Sequence, residues 1–315
     1  MGSFTFVLKP KPPFRLDLTV WALRRRARNV VDQWDGTTYR RALVINNTPL
    51  EIAVRQAGSM DHPDLITALN GPPGPIVRTK VSHLLTQMLG LGIDLVPFYR
   101  KAKHDRRLAP LVEEFRGLKP PRFPSVFEAL VNGVACQQLS LTVGIELLNR
   151  MARECARATI PSEASQPAFP TPENLGHLNA HRLRHLGFSY GKARALLGLS
   201  RGILKGDIHL EGLDDIDNNG AVRRLMNLHG VGRWTAEYAL LRALGRIDVF
   251  PGDDVGAGNR LARWLGHKDP LDYPGVRRAV QRWRPYAGMV YFHLLIAGLA
   301  ESGEMLLTGS ARLKG

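Results

Sequence analysis

The chain has 315 residues, long enough for two domains, and its 44% hydrophobic and 23% charged content is that of an ordinary globular protein. Lysine and arginine number 43 against 28 acidic residues, a formal charge of +15 with a pI near 10.3, which points to a polyanion partner, nucleic acid ahead of acidic phospholipid. No run of about 18 apolar residues offers a membrane span, and two cysteines, Cys136 and Cys155, build neither a disulfide framework nor a zinc or iron–sulfur site alone.

The N-terminal MGSFTFVLKPKPPF lacks the long apolar core of a signal peptide, so the expected place of work is the cytoplasm, at the nucleoid. SFTFVL alternates Phe4, Phe6 and Leu8 on one face and reads as a half-buried strand. Leu16 to Arg28 reads as a helix carrying the run Arg24-Arg25-Arg26. TYRRALVIN and LEIAVRQ flank Asn46-Asn47-Thr48, a hairpin turn signal, and DLITALNG offers a further strand. After NGPPGP the character changes. Helices are expected at 76–89, 105–115, 125–136, 140–157, 180–186, 190–204, 218–228, 233–244, 254–265, 274–283 and 286–301, with a Pro/Ser-rich loop at 160–173. The fold class is therefore α+β: an antiparallel α+β unit over residues 1–110, then an all-helical region over 111–315, in two subdomains flanking a cleft.

The stretch LMNLHGVGRWTAEY (225–238) joins two helical patterns through His229-Gly230-Val231-Gly232. Gly230 suits the positive φ that ends a helix, Val231 plugs the turn, and Gly232 permits close backbone approach. The free N–H groups at the next helix N-terminus, with its dipole, suit a phosphate. An ordinary helix–helix turn is the alternative. GRIDVFPGDDVGAGNRLARWL then places a Pro-Gly turn before Asp253-Asp254, with one aspartate at the next helix N-terminus. A plain N-cap is one reading. The other is a fixed anion that stabilises an oxocarbenium-like state when a base leaves its sugar.

LHGVGRWTAEYALLRALG followed by DVFPGDDVG resembles the helix–hairpin–helix plus Gly/Pro…Asp motif of base-excision DNA glycosylases. FEALVNGVACQQLS resembles the family helix that ends in Gln-Gln-x-Ser. An α+β front resembling half of the TATA-binding fold, then helices, fits the DNA-3-methyladenine glycosylase II branch. The resemblance implies Asp254 as the catalytic carboxylate. Trp234 and Tyr238, one turn apart, would wall the base pocket with Leu295. Gly230, Val231, Gly232, Arg233, Thr235, Gln137, Gln138 and Ser140 would contact double-stranded DNA carrying damaged bases. Branches that also nick the backbone carry a lysine where Trp234 stands, as a Schiff-base nucleophile. No lysine lies between Leu225 and Leu265, so a monofunctional enzyme is expected.

Two positions depart from the family. Gln138 occupies the place of the apolar wedge that fills the hole left by a flipped nucleotide; Gln137, Gln138 and Ser140 read alternatively as buried helix-cap groups. Leu295 stands where a tryptophan stacks on the target base, with Trp21, Tyr291 and Phe292 as candidate replacements. LGFSYGKARALL resembles a family helix start and brings Lys192 and Arg194 either to phosphate or to solvent. His229 reads as a hairpin residue and His293 as a core histidine. No cofactor and no side-chain metal site is expected; a monovalent cation on hairpin carbonyls near Leu228 and Val231 is what the family implies. A monomer is expected. The activity implied is excision of alkylated purines of the 3-methyladenine and 7-methylguanine type. The alternatives are excision of deaminated or etheno bases, and a non-catalytic DNA clamp.

Overall fold

The computed structural model describes residues 3–46, 48–70, 74–158 and 166–305. Its front is a five-stranded antiparallel sheet in the order β1-β5-β4-β3-β2, made of β1 (Ser3–Leu8), β2 (Gln33–Trp34), β3 (Thr38–Ile45), β4 (Thr48–Ala57) and β5 (Asp64–Asn70). In β1 the alternation holds: Phe6 is buried while Thr5 and Val7 are exposed. Ile45 pairs with Thr48, so the hairpin loop has two residues. Asn46 takes φ 50°, as such tight turns require; Asn47 lies outside the described residues.

Helix α1 (Leu16–Arg24) is shorter than its apolar pattern suggests. Arg25 adopts φ 63° and ends it, with its N–H bonded to Trp21 O. Thirteen further helices follow among the described residues. They are α2 (Pro75–Met88), α3 (Val96–Lys103), α4 (Leu108–Glu114), α5 (Val126–Cys136), α6 (Leu141–Ala158), α7 (Pro172–Gly176) and α8 (Ala180–His185). Then come α9 (Tyr190–Lys205), α10 (Asn218–Met226), α11 (Arg233–Arg242), α12 (Val255–Leu265), α13 (Tyr273–Val280) and α14 (Ala287–Glu301). Helix α3 was not expected from the sequence, because only Phe98 and Ala102 of its eight residues are buried. The expected helix 274–283 divides into α13 and a 3-10 turn over Gln281–Trp283. Part of the Pro/Ser-rich loop, 159–165, lies outside the described residues.

Two apolar cores meet along α1. One joins the sheet to α2, α5, α6, α9, α10 and α11. The other joins Leu18, Trp21 and Ala22 of α1 to α3, α4, α12, α13 and α14. A buried ion triad ties sheet to helices: Arg41 of β3 donates to Asp32 at 2.8 Å and to both Glu128 oxygens of α5 at 2.6 and 2.8 Å. Helices α5 and α11 pack side by side, and at Gly133 a methyl group would come within 2.6 Å of Thr235 Cγ2. That contact sets the spacing of the two helices that carry the site.

Candidate active site

The hairpin between α10 and α11 forms as its glycines demand. Gly230 has φ 81°, and a Cβ there would meet Ala195 Cβ of α9 at 2.4 Å. Conformation and close packing both require glycine. Gly232 is the N-cap of α11 in extended backbone, exposed, with open space where a side chain would be. No side chain caps α11, so its first N–H groups are free to meet an anion. Val231 is buried at 7% exposure, and His229 is exposed.

Thr235 was expected at the DNA surface, and the structure corrects this. It is fully buried against Gly133, and its hydroxyl accepts from Gln137 Nε2 at 2.9 Å. Gln137 is also a binding group no longer free, since its amide bonds Gly230 O at 2.9 Å as well. It ties the end of α5 to the hairpin. Gln138 is exposed with φ 55°, and Leu139 beside it is 41% exposed. Ser140 is exposed and caps α6, its hydroxyl accepting from Val143 N–H at 3.3 Å. Of the three cap candidates none is buried: Ser140 caps a helix at the surface, Gln137 bridges to the hairpin, and Gln138 is exposed. Lys192, half-buried, donates from Nζ to Ala135 O at 2.9 Å and Gln137 O at 2.7 Å, closing the C-terminus of α5.

The two aspartates have separate tasks. Asp253 pairs with Arg233 at 2.7 Å, and that guanidinium lies 3.7 Å from the Tyr273 ring centroid. Asp254 is the N-cap of α12. Its Oδ1 accepts from Ala257 N–H at 2.8 Å and its Oδ2 from the Tyr291 hydroxyl of α14 at 3.0 Å. Burial, and then the charge of Asp254, push the Tyr291 phenol well above its ordinary range, so it stays a neutral donor. The loop carrying both aspartates is fixed from behind. Glu237 of α11 accepts from Gly252 N–H at 2.9 Å and from Tyr273 OH at 2.6 Å. A Cβ at Gly252 would strike the Tyr273 ring at 2.6 Å, so the loop lies flat on it.

Trp234 and Tyr238 do share a face, their ring centroids 5.6 Å apart and tilted by 31°. Leu295 is buried one helical turn beyond Tyr291. Of the three aromatic replacements, Tyr291 joins the site; Trp21 and Phe292 sit in the core. Three site-region residues escaped sequence reasoning: Glu237, Tyr291 as the partner of Asp254, and Arg25. Arg25 is 5% exposed and donates to Tyr238 OH at 2.8 Å and Asn132 Oδ1 at 2.5 Å. A basic run reads as a solvated face, which hid it. Among the described residues no group of three or more His, Cys, Asp or Glu side chains could hold a metal, although His177, His181 and His185 recur every four residues. A groove of about 480 Å³ lies elsewhere, between β3, the start of α5 and the 169–172 and 203–211 segments.

An antiparallel sheet before a helical array, a glycine hairpin, and an aspartate capping the helix that follows define the class: a helix–hairpin–helix DNA glycosylase. Residues 131–285 match the family described as the HhH-GPD superfamily base excision DNA repair protein. A DNA-3-methyladenine glycosylase of Bacillus subtilis is 30% identical over 221 residues, 69% of this chain and 73% of that relative. DNA-3-methyladenine glycosylase 2 of Escherichia coli is 28% identical over 183 residues, 56% of this chain and 60% of that relative. The solved 3-methyladenine DNA glycosylase from Archaeoglobus fulgidus shares the fold, with a TM-score of 0.80 at 23% identity over 92% of this chain and 97% of that one. The chain belongs to the HhH-GPD superfamily of base excision DNA repair proteins.

Proposed function

We infer that the protein is a monofunctional DNA glycosylase that releases alkylated purines from duplex DNA, working as a monomer at the nucleoid. The observation that carries this reading is Asp254. It is held by Ala257 N–H and Tyr291 OH beside the Trp234–Tyr238 pair, one loop away from the hairpin.

The hairpin N–H groups hold a backbone phosphate and the basic surface holds the duplex. The damaged nucleotide turns out of the helix, and Gln138, with Leu139 beside it, fills the gap. The base lies against Trp234 and Tyr238. As the glycosidic bond breaks, positive charge grows on the sugar and the fixed carboxylate stabilises it. Water completes the reaction. A base alkylated at N3 or N7 is already cationic and leaves readily, so modest stabilisation suffices; each tenfold in rate is about 1.4 kcal/mol. With Trp234 in place of a nucleophilic lysine, the product is an abasic site in an unbroken strand. A monovalent cation on the carbonyls near Leu228 and Val231 would reinforce the phosphate contact.

The test is base release from duplexes carrying 7-methylguanine, 3-methyladenine, hypoxanthine or uracil, with and without alkali. Release of alkylpurines with strand breaks only after alkali is the expected result. Release of deaminated bases alone would reassign the substrate. Tight binding with no release of any base would leave a DNA clamp in its place.

A further inference from the structure

Arg25 is a buried cation behind the pocket wall. It closes α1 in the left-handed region, at φ 63°, a conformation that a non-glycine residue adopts rarely and that turns its side chain inward. Nη1 donates to the hydroxyl of Tyr238, half of the Trp234–Tyr238 wall, and the guanidinium lies 5.4 Å from the Phe123 ring centroid. Its Nε is buried without a hydrogen-bond partner. Among the described residues Arg25 forms no ion pair. Burying a charge without a paired counter-ion is costly, and sites that accept that cost commonly use the field it creates. Asp254, bonded to Tyr291, forms no ion pair among them either, and a second buried cation, Arg242, lies 5.9 Å from the Tyr238 ring centroid and donates only to the carbonyls of Ala22 and Leu23.

We propose that Arg25 draws the electron pair of the breaking glycosidic bond toward the departing base, and so extends excision to neutral bases. This rests on the glycosylase reading above. A base on the Trp234–Tyr238 wall would face the guanidinium across the Tyr238 hydroxyl, with its sugar toward Asp254. When the C1′–N bond breaks, its electron pair stays on the base nitrogen and C1′ becomes positive. Water adds to C1′, and its proton ends on the departed base when that base leaves as an anion, or in solvent when it leaves neutral. A neutral base such as hypoxanthine departs with developing negative charge, which the guanidinium stabilises only in the transition state. That raises kcat/KM. A cationic base such as 7-methylguanine is repelled on binding and relieved as its charge moves to the sugar. There the cation raises kcat and KM together and leaves their ratio unchanged. The two substrates therefore respond differently to loss of the same charge.

The experiment compares wild type, Arg25→Gln and Arg25→Lys in single-turnover excision of hypoxanthine and of 7-methylguanine, with half-saturation measured for each duplex. For Arg25→Gln the expected loss with hypoxanthine is about tenfold or more in the ratio of rate to half-saturation. With 7-methylguanine, rate and half-saturation should fall together, their ratio holding within about twofold. Arg25→Lys keeps the charge and should retain most of the hypoxanthine activity. Equal losses of the ratio on both bases in Arg25→Gln would mean that Arg25 only props up Tyr238 and would overturn the proposal. Wild type that releases 7-methylguanine but no hypoxanthine would also overturn it and leave the glycosylase reading intact. Wild type that releases neither base would remove that reading itself.

Discussion

Two buried charge clusters meet α5 one helical turn apart, at Glu128 and at Asn132, and they are built in opposite ways. In the first, Arg41 meets Asp32 and Glu128 directly, within 2.8 Å, between the sheet and the helices. Burial pushes the Glu128 carboxyl up, and Arg41 beside it works against that shift. In the second, no cation touches a carboxylate. Arg25 meets the hydroxyl of Tyr238, and Asp254 meets the hydroxyl of Tyr291. Charges in contact cancel each other's field and brace the fold. Charges held apart by neutral donors keep a field across the space between them, which is what a reaction that separates charge requires. The difference teaches which polar groups serve folding and which serve chemistry.

Breaking each cluster separately should give opposite phenotypes. Asp254→Asn removes the anion but keeps an oxygen for Ala257 N–H, with its amide nitrogen turned as a donor toward the Tyr291 oxygen. Base release should fall by roughly a thousandfold, while DNA affinity and melting temperature hold or rise. Excision at the wild-type rate would show that the catalytic group lies elsewhere. Arg41→Met strands two buried carboxylates and should lower stability by roughly 3–5 kcal/mol. Excision per folded molecule should stay near wild type. Chemical denaturation and an activity assay at low temperature would check both halves. A large activity loss without a stability loss would erase the distinction between the clusters.

Tyr291→Phe probes the donor that holds Asp254. One hydrogen bond to a charged group is worth roughly 1.5–3 kcal/mol, so single-turnover excision should fall at least about tenfold, with little change in DNA binding. An unchanged rate would mean that Ala257 N–H alone orients the carboxylate. Tyr291 also marks the limit of what the sequence reveals. The hairpin and Asp254 are legible because their chemistry is local: a glycine at positive φ, a Pro-Gly turn, an N-cap. The partners of these groups come from distant segments. Tyr291 is 37 residues from Asp254 and Arg25 is 213 from Tyr238, and no short pattern encodes such meetings. Thr235 reads as a DNA contact for the same reason: only the packing of α11 on α5 reveals which side of the helix it occupies. The antiparallel sheet was legible from period-two alternation, whereas α3 buries too few residues to leave a helical period.

His293 gives the gentlest test of the idea that paired groups brace the fold, because it is buried in the core away from both clusters. Its Nδ1 bonds Met289 O at 2.7 Å, its Nε2 is buried without a partner, and the Phe98 ring lies 5.4 Å away. Burial lowers its pKa from 6.5 to about 4, because the folded interior disfavours the charged ring. The sign follows directly. Between pH 6.5 and about 4 the unfolded chain takes up a proton that the folded chain refuses. Stability contributed by neutral His293 is therefore fully present above pH 6.5 and declines as the pH falls through that window, by about 1.4 kcal/mol per pH unit. Denaturation at pH 7 and pH 5 should show this slope in wild type. His293→Gln, which cannot titrate, should flatten that part of the slope even if it lowers stability at pH 7. An identical slope in the variant would mean that His293 is not the source of the acid sensitivity.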